Sequence, residues 1–283
     1  MRIRTTSTQR TYRYVRLALI AATLFLAVGV GIELATGGSL PSVSAAYYTP
    51  AGPVFTGSLC AIALALLALS GRSLEQGLLD VAAVLALAVA FVPTTQDALC
   101  PDGARCVPEA VLPTVVNNAA AAASVVLVGA IGAVVLARVQ GTAGRGTFVT
   151  IAVIVALVLG GTAWGVVAPE AFLRSAHNLA AVSFFAIVAA VAGLAAWRPH
   201  PDGRGARGVR VAYAVVAVGI LLTLVALAAA ILGGATRGGL PVVLVGESVA
   251  LALFAVFWFV QTVELWNDPD PRLRGGVGNT LPG

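Results

Sequence analysis

The chain has 283 residues, of which 59% are hydrophobic and only 10% charged, with a mean hydropathy of +0.96. A soluble domain carries about 25% charged residues, so this balance excludes a water-soluble fold and describes a membrane protein. All 17 basic residues are Arg, against 12 acidic ones, for a net charge of +5; with no basic stripe interleaved with aromatics this charge does not point to nucleic acid, and in a membrane chain it first reports orientation.

Apolar runs bounded by Pro, Gly and Arg predict an all-α bundle of eight transmembrane helices at 15–35, 53–70, 78–93, 114–137, 147–168, 177–197, 209–232 and 241–266. About 20 residues cross a hydrocarbon core of roughly 30 Å, and the third run is the shortest. The basic stretch 1–14 precedes a run without a convincing cleavage site, so it reads as the cytoplasmic end of a retained signal anchor. The Pro- and Gly-rich tail 267–283 reads as disordered.

Placing the N-terminus in the cytoplasm leaves only Arg105, Arg174 and Arg237 outside and the other 14 Arg inside. By the positive-inside rule both termini are then cytoplasmic. The absence of Lys and the excess of Ala, Val, Leu and Gly suit a GC-rich bacterium, with the protein in its plasma membrane.

Of three cysteines, Cys60 lies in an apolar run and reads as an inert residue. Cys100 and Cys106 flank Pro-Asp-Gly-Ala-Arg in an outer loop, where a small disulfide can persist in an oxidising compartment. A metal site is the weaker reading, because two thiols without a nearby His fall short of a tetrahedral set. The two histidines, His177 and His200, fall on opposite sides of the membrane, which excludes a haem pair, so no metal and no cofactor are expected. Gly129, Gly132, Gly161, Gly165 and the Ala119–Ala123 run are expected to carry close helix packing.

Polar groups inside spans are costly, so their depth is informative. Glu33, Asn117, Asn118, His177, Asn178 and Glu247 all fall in the outer third of the bilayer, with Ser42, Ser44, Tyr47 and Tyr48 in the first outer loop above them. The middle of the bundle is nearly free of charge, which favours a site reached from outside or from the outer leaflet over an ion pathway. Glu247, between Val245 and Val249, needs a partner, and His177 is the preferred one. Such a pair could serve acid–base work or be purely structural. Glu33 also reads as a headgroup carboxylate, and the asparagines as caps or interhelical hydrogen bonders. Asp80, Gln261 and Glu264 read as solvated or interfacial, Trp258 and Trp266 as an interface belt, and His200 as a loop residue.

Three short segments carry a resemblance. Pro41 to Pro50, containing Tyr47-Tyr48-Thr49-Pro50 and followed by Val54, Phe55 and Gly57, then His177-Asn178 with Phe184-Phe185, then Gly246-Glu247-Ser248, resemble the DRAM/Sfk-type family of polytopic membrane proteins. The resemblance extends to uncharacterised actinobacterial membrane proteins with a Tyr-Tyr-Thr-Pro loop. It implies lipid handling, with the first outer loop, the His and the Glu as matched positions. That family has six spans, which implies that helices 3 and 4 are an added hairpin. Two positions depart from its pattern: Ala45 stands for Asp and Ser248 for Trp.

The leading expectation is therefore an outward-facing site that handles or modifies an envelope lipid. His177 and Glu247 are its catalytic candidates, and Glu33, Tyr47, Tyr48, Asn117, Asn118 and Asn178 its binding candidates. The alternative is a non-enzymatic scaffold that meets a membrane-protein partner or a second copy. A small-solute transporter is the third.

Overall fold

A computed structural model describes residues 7–69, 73–96, 105–198, 206–234 and 241–266. Eight α-helices follow in chain order: α1 (Ser7–Thr36), α2 (Gly52–Ala68), α3 (Leu74–Phe91), α4 (Leu112–Val139), α5 (Arg145–Val167), α6 (Pro169–Trp197), α7 (Ala206–Leu232) and α8 (Val242–Glu264). Two short 3-10 helices, η1 (Ser44–Tyr48) and η2 (Glu109–Val111), precede α2 and α4. Seven of the α-helices are long and apolar enough to cross a membrane, and α2 is a shorter apolar helix of 17 residues. The protein is an integral membrane protein.

Two boundaries correct the sequence reading. The shortest helix is α2, because α3 starts at Leu74 rather than 78. Ser73 and Gln76 form a capping box, in which the Ser73 hydroxyl accepts from the Gln76 N–H at 3.2 Å and the Gln76 side chain accepts from the Ser73 N–H at 3.1 Å. These bonds satisfy two donors that a helix start otherwise leaves unpaired, so the polar residues ahead of the apolar run extend the helix. Likewise α6 starts at Pro169, eight residues before the expected start. Only Ala168 separates it from α5, since a residue before proline is driven out of the α region and Pro suits a first helical position. Arg174 thus lies within α6 rather than in a loop.

Six helices close a ring in which each packs on the next, in the order α1, α2, α3, α6, α7, α8 and back to α1. The hairpin α4–α5 stands outside this ring: α5 lies against both α3 and α6, and α4 packs on α5 and α3. Burial follows this division. α3 buries eight side chains, whereas α4 buries only Val115 and Ala137 and α5 only Ile154. The outlying pair is thus helices 4 and 5, one helix later than the resemblance implied.

In lipid, helices gain little from apolarity against one another, so the ring depends on close backbone approach. The glycines that allow it are not the expected ones. A Cβ added to Gly29 of α1 would lie 2.6 Å from Val54 of α2, one on Gly77 of α3 would lie 2.6 Å from Thr150 of α5, and one on Gly246 of α8 would lie 2.6 Å from Leu227 Cγ of α7. Gly129, Gly132 and Gly161 meet nothing within 4 Å, and Gly165 meets only Phe172 of its own hairpin.

An aromatic column fills the middle of the ring. It runs from Tyr213 through Phe257, Trp258 and Phe254 to Phe184, with successive ring centroids 5.1–6.1 Å apart. Trp258 is fully buried in this column rather than in an interface belt. At the end of the ring that holds the start of α1, polar side chains tie helices together. The Tyr213 hydroxyl donates to Glu264 at 2.6 Å, Arg198 pairs with Glu75, and Arg13 donates to the Trp266 carbonyl at 2.6 Å while stacking over its ring. Glu264, expected to be solvated, therefore holds α8 to α7.

Candidate functional site

Glu247 and His177 do not form the expected pair; each binds a different partner. The Ser44 N–H donates to Glu247 Oε2 at 3.0 Å and the Ser44 hydroxyl to Oε1 at 3.1 Å. Ser44 opens η1, whose start has no side-chain cap of its own. The carboxylate of α8 therefore acts as a cap supplied across the bundle, satisfying donors that a helix start leaves open. Ser42 adds a second tie by accepting from the Ala45 N–H at 2.9 Å. Together these bonds seat η1 over the end of the ring, which is why Ser44, Ala45 and Ala46 are buried in a loop.

His177 lies two turns into α6, about 12 Å from its start, and is only 2% exposed. Its Nδ1 lies 2.6 Å from the Val92 carbonyl oxygen at the end of α3. A carbonyl only accepts, so Nδ1 carries the proton and donates. Nε2 is buried with no hydrogen-bond partner among the described residues. The histidine thus ties α6 to α3 on the same face as Ala181 and Phe184, one turn nearer the η1 end.

The remaining candidates separate. Asn178 is exposed, away from His177. Asn117 is also exposed and donates to Asn118 at 3.4 Å. Glu33 is half-exposed in the last turn of α1, and its backbone carbonyl accepts from the Gly37 N–H at 2.6 Å. Tyr47, Tyr48 and Asn118, by contrast, are brought together.

Two spaces open at this end. A small cavity of about 50 Å³ lies inside the ring, with Ser44 and Glu247 at one side and Phe55, Val89, Ala181 and Phe254 among its apolar walls. It has room for a few waters at most. A larger open groove of about 470 Å³ lies between η1 with the start of α2 and η2 with the start of α4. Tyr47, Tyr48, Thr56, Thr114 and Asn118 line it, together with backbone and apolar groups. The three threonines of its lining, Thr49, Thr56 and Thr114, were not singled out from the sequence, because threonine at a helix start is an ordinary capping residue.

The two tyrosines are set by local packing. Their rings meet edge to face at 5.3 Å, Tyr47 also meets Phe55 at 6.5 Å, and the Tyr48 hydroxyl donates to the Thr94 carbonyl at 2.7 Å. Burial pushes both phenols above the ordinary tyrosine range, with Tyr47 adding to the rise at Tyr48, so both are uncharged at neutral pH. Among the described residues no charged side chain lines the groove, and no cluster of three or more metal-ligating side chains occurs. The groove can bind through hydroxyls, an amide and aromatic edges, but its own lining holds no acid–base pair.

Cys60 is half-buried and is the free cysteine among the described residues. Cys100 lies outside the described residues, as do His200, the tail 267–283 and several of the counted arginines. Gln96 and Cys106 exchange backbone hydrogen bonds of 2.9 and 3.3 Å, which draws together the ends of the loop that contains Cys100. For the proposed bridge, Cys100 and Cys106 are expected to resist maleimide labelling of intact cells until a reductant is added. Labelling without reductant would refute the bridge.

No protein-family model, curated protein or solved structure matches this chain.

Proposed function

We propose that this membrane protein holds a lipid, with the headgroup in the groove between η1 and η2 and the acyl chains on the apolar surface below it. The observation that carries this reading is the open, uncharged groove itself, which lies between the starts of two apolar helices, α2 and α4. α2 and α4 both pack on α3 but not extensively on each other, so α3 forms the floor between them. Along α3, Val84, Leu87, Ala88 and Phe91 remain half-exposed at helical spacing, while the intervening positions are buried. A polar groove of about 470 Å³ at the starts of apolar helices suits an amphiphile, and this volume lies within the range of about 300–1,000 Å³ found for ligand sites.

Binding rather than chemistry is the role these groups support, because Glu247 and His177 are both engaged in holding the fold. The arginine asymmetry of the loops supports a groove on the outer side of a plasma membrane. Native mass spectrometry of protein extracted with its surrounding membrane tests the reading. Wild type is expected to retain a lipid of defined mass through delipidation. Thr114→Trp, which fills the groove from an exposed position, is expected to lose it while keeping its thermal stability. Equal retention by both proteins would overturn the proposal.

A further inference from the structure

The geometry points to an uncharged sugar headgroup, that of a glycolipid, as the ligand of the groove between η1 and η2. This inference rests on the lipid-binding reading above and names the chemistry that the groove selects.

Phosphate headgroups are ordinarily met by Arg or Lys, and ammonium groups by carboxylates or aromatic faces. Among the described residues the groove offers neither Arg, Asp, Glu nor His in its lining, and the adjacent Glu109 is exposed and lies outside it. Any charged headgroup placed there would leave part of its hydration without a matching replacement, which is a cost. The groups present both donate and accept. Thr56 and Thr114 carry hydroxyls, and Asn118, whose carbonyl oxygen accepts from Asn117, keeps its NH2 group as a donor. The Tyr48 oxygen, having donated its proton to Thr94, still offers lone pairs to a ligand donor.

Sugar hydroxyls are also donors and acceptors at once, so they can meet these groups without leaving a charge unpaired. The second requirement of a sugar is an apolar surface for its C–H face. The half-buried rings of Tyr47 and Tyr48, fixed edge to face, supply one at the groove wall. Aromatic surface and neutral hydrogen bonders thus suit a sugar, whereas the phosphate of a phospholipid or the carboxylate of a free fatty acid would find no cation in the lining among the described residues.

The test uses the full chain in phosphatidylcholine nanodiscs, with glucoside and maltoside detergents kept out. The discs are doped with a diglucosyl diacylglycerol, a phosphatidylglycerol or a phosphatidylethanolamine, and the lipid carried by the ejected protein is read by native mass spectrometry. The diglucosyl lipid is expected to be retained roughly five- to tenfold over each phospholipid, as one or two selective hydrogen bonds would give. Asn118→Leu and the exposed Thr114→Val should each move that ratio toward one, and Thr114→Val covers the case in which the first variant does not fold. Equal or stronger retention of either phospholipid would overturn the headgroup assignment while leaving lipid binding standing. Retention of no lipid would overturn both. Displacement of the diglucosyl lipid by free maltose at matched concentration would keep the sugar chemistry but remove the lipid as its source.

Discussion

Replacing Glu247 with Leu is expected to destabilise the protein by roughly 2–4 kcal/mol, since its two hydrogen bonds with Ser44 are lost and the buried Ser44 N–H is left unpaired. The direction follows from where the carboxylate sits. It accepts from the first N–H of η1, while Ser42 accepts from the second. Glu247→Gln keeps one acceptor and turns the other into a donor facing the Ser44 donors, so it should cost less than Leu but more than Ser44→Ala, which removes the hydroxyl bond alone. Thermal unfolding of the four proteins gives the order. A double-mutant cycle between Glu247→Gln and Ser44→Ala should show coupling, because the residues share a bond. If Glu247→Leu melts with wild type and yet loses its lipid, the carboxylate serves the ligand rather than η1.

The second large effect is expected at Gly52, where two principles oppose each other. Glycine to alanine inside a helix ordinarily gains up to about 1 kcal/mol. At Gly52, however, the added Cβ would lie 2.6 Å from the Tyr47 carbonyl oxygen, and that atom belongs to the backbone of η1 rather than to a flexible side chain. Overpacking of this kind costs about 1–3 kcal/mol, so Gly52→Ala should destabilise, moving η1 and with it the groove lined by Tyr47 and Tyr48. Gly129→Ala and Gly132→Ala are the controls, because an added Cβ at either meets nothing within 4 Å. They are expected to be neutral or stabilising. Melting temperatures of the three variants decide the matter, and a stable Gly52→Ala would show that η1 can shift without loss.

Both results bear on what the polar candidates do. The expected pairing of Glu247 with His177 rests on their common depth. Depth along a helix axis says nothing of azimuth, however, and Ser44 and Val92 proved to be the partners. Tyr47, Tyr48 and Asn118 meet at the groove, while Asn117, beside Asn118, and Asn178, beside the buried His177, turn outward. A one-residue step rotates a side chain by about 100°, so adjacent polar residues rarely share a site.

The sequence by itself determined the membrane class and the eight helices, because hydropathy and helix length are local quantities tied to bilayer thickness. It also carried the start of α3, in Ser73 and Gln76, and the start of α6, in Pro169, as capping signals that a hydropathy reading passes over. Only the tertiary structure decided that six helices close a ring with α4 and α5 outside it, that Gly29, Gly77 and Gly246 rather than Gly129 and Gly132 are packed, and that the groove forms at η1 and η2. The physical reason is that lipid tails are as apolar as a protein core. A face turned to lipid and a face turned to another helix therefore carry the same residues, and only the packing of one surface on another tells them apart.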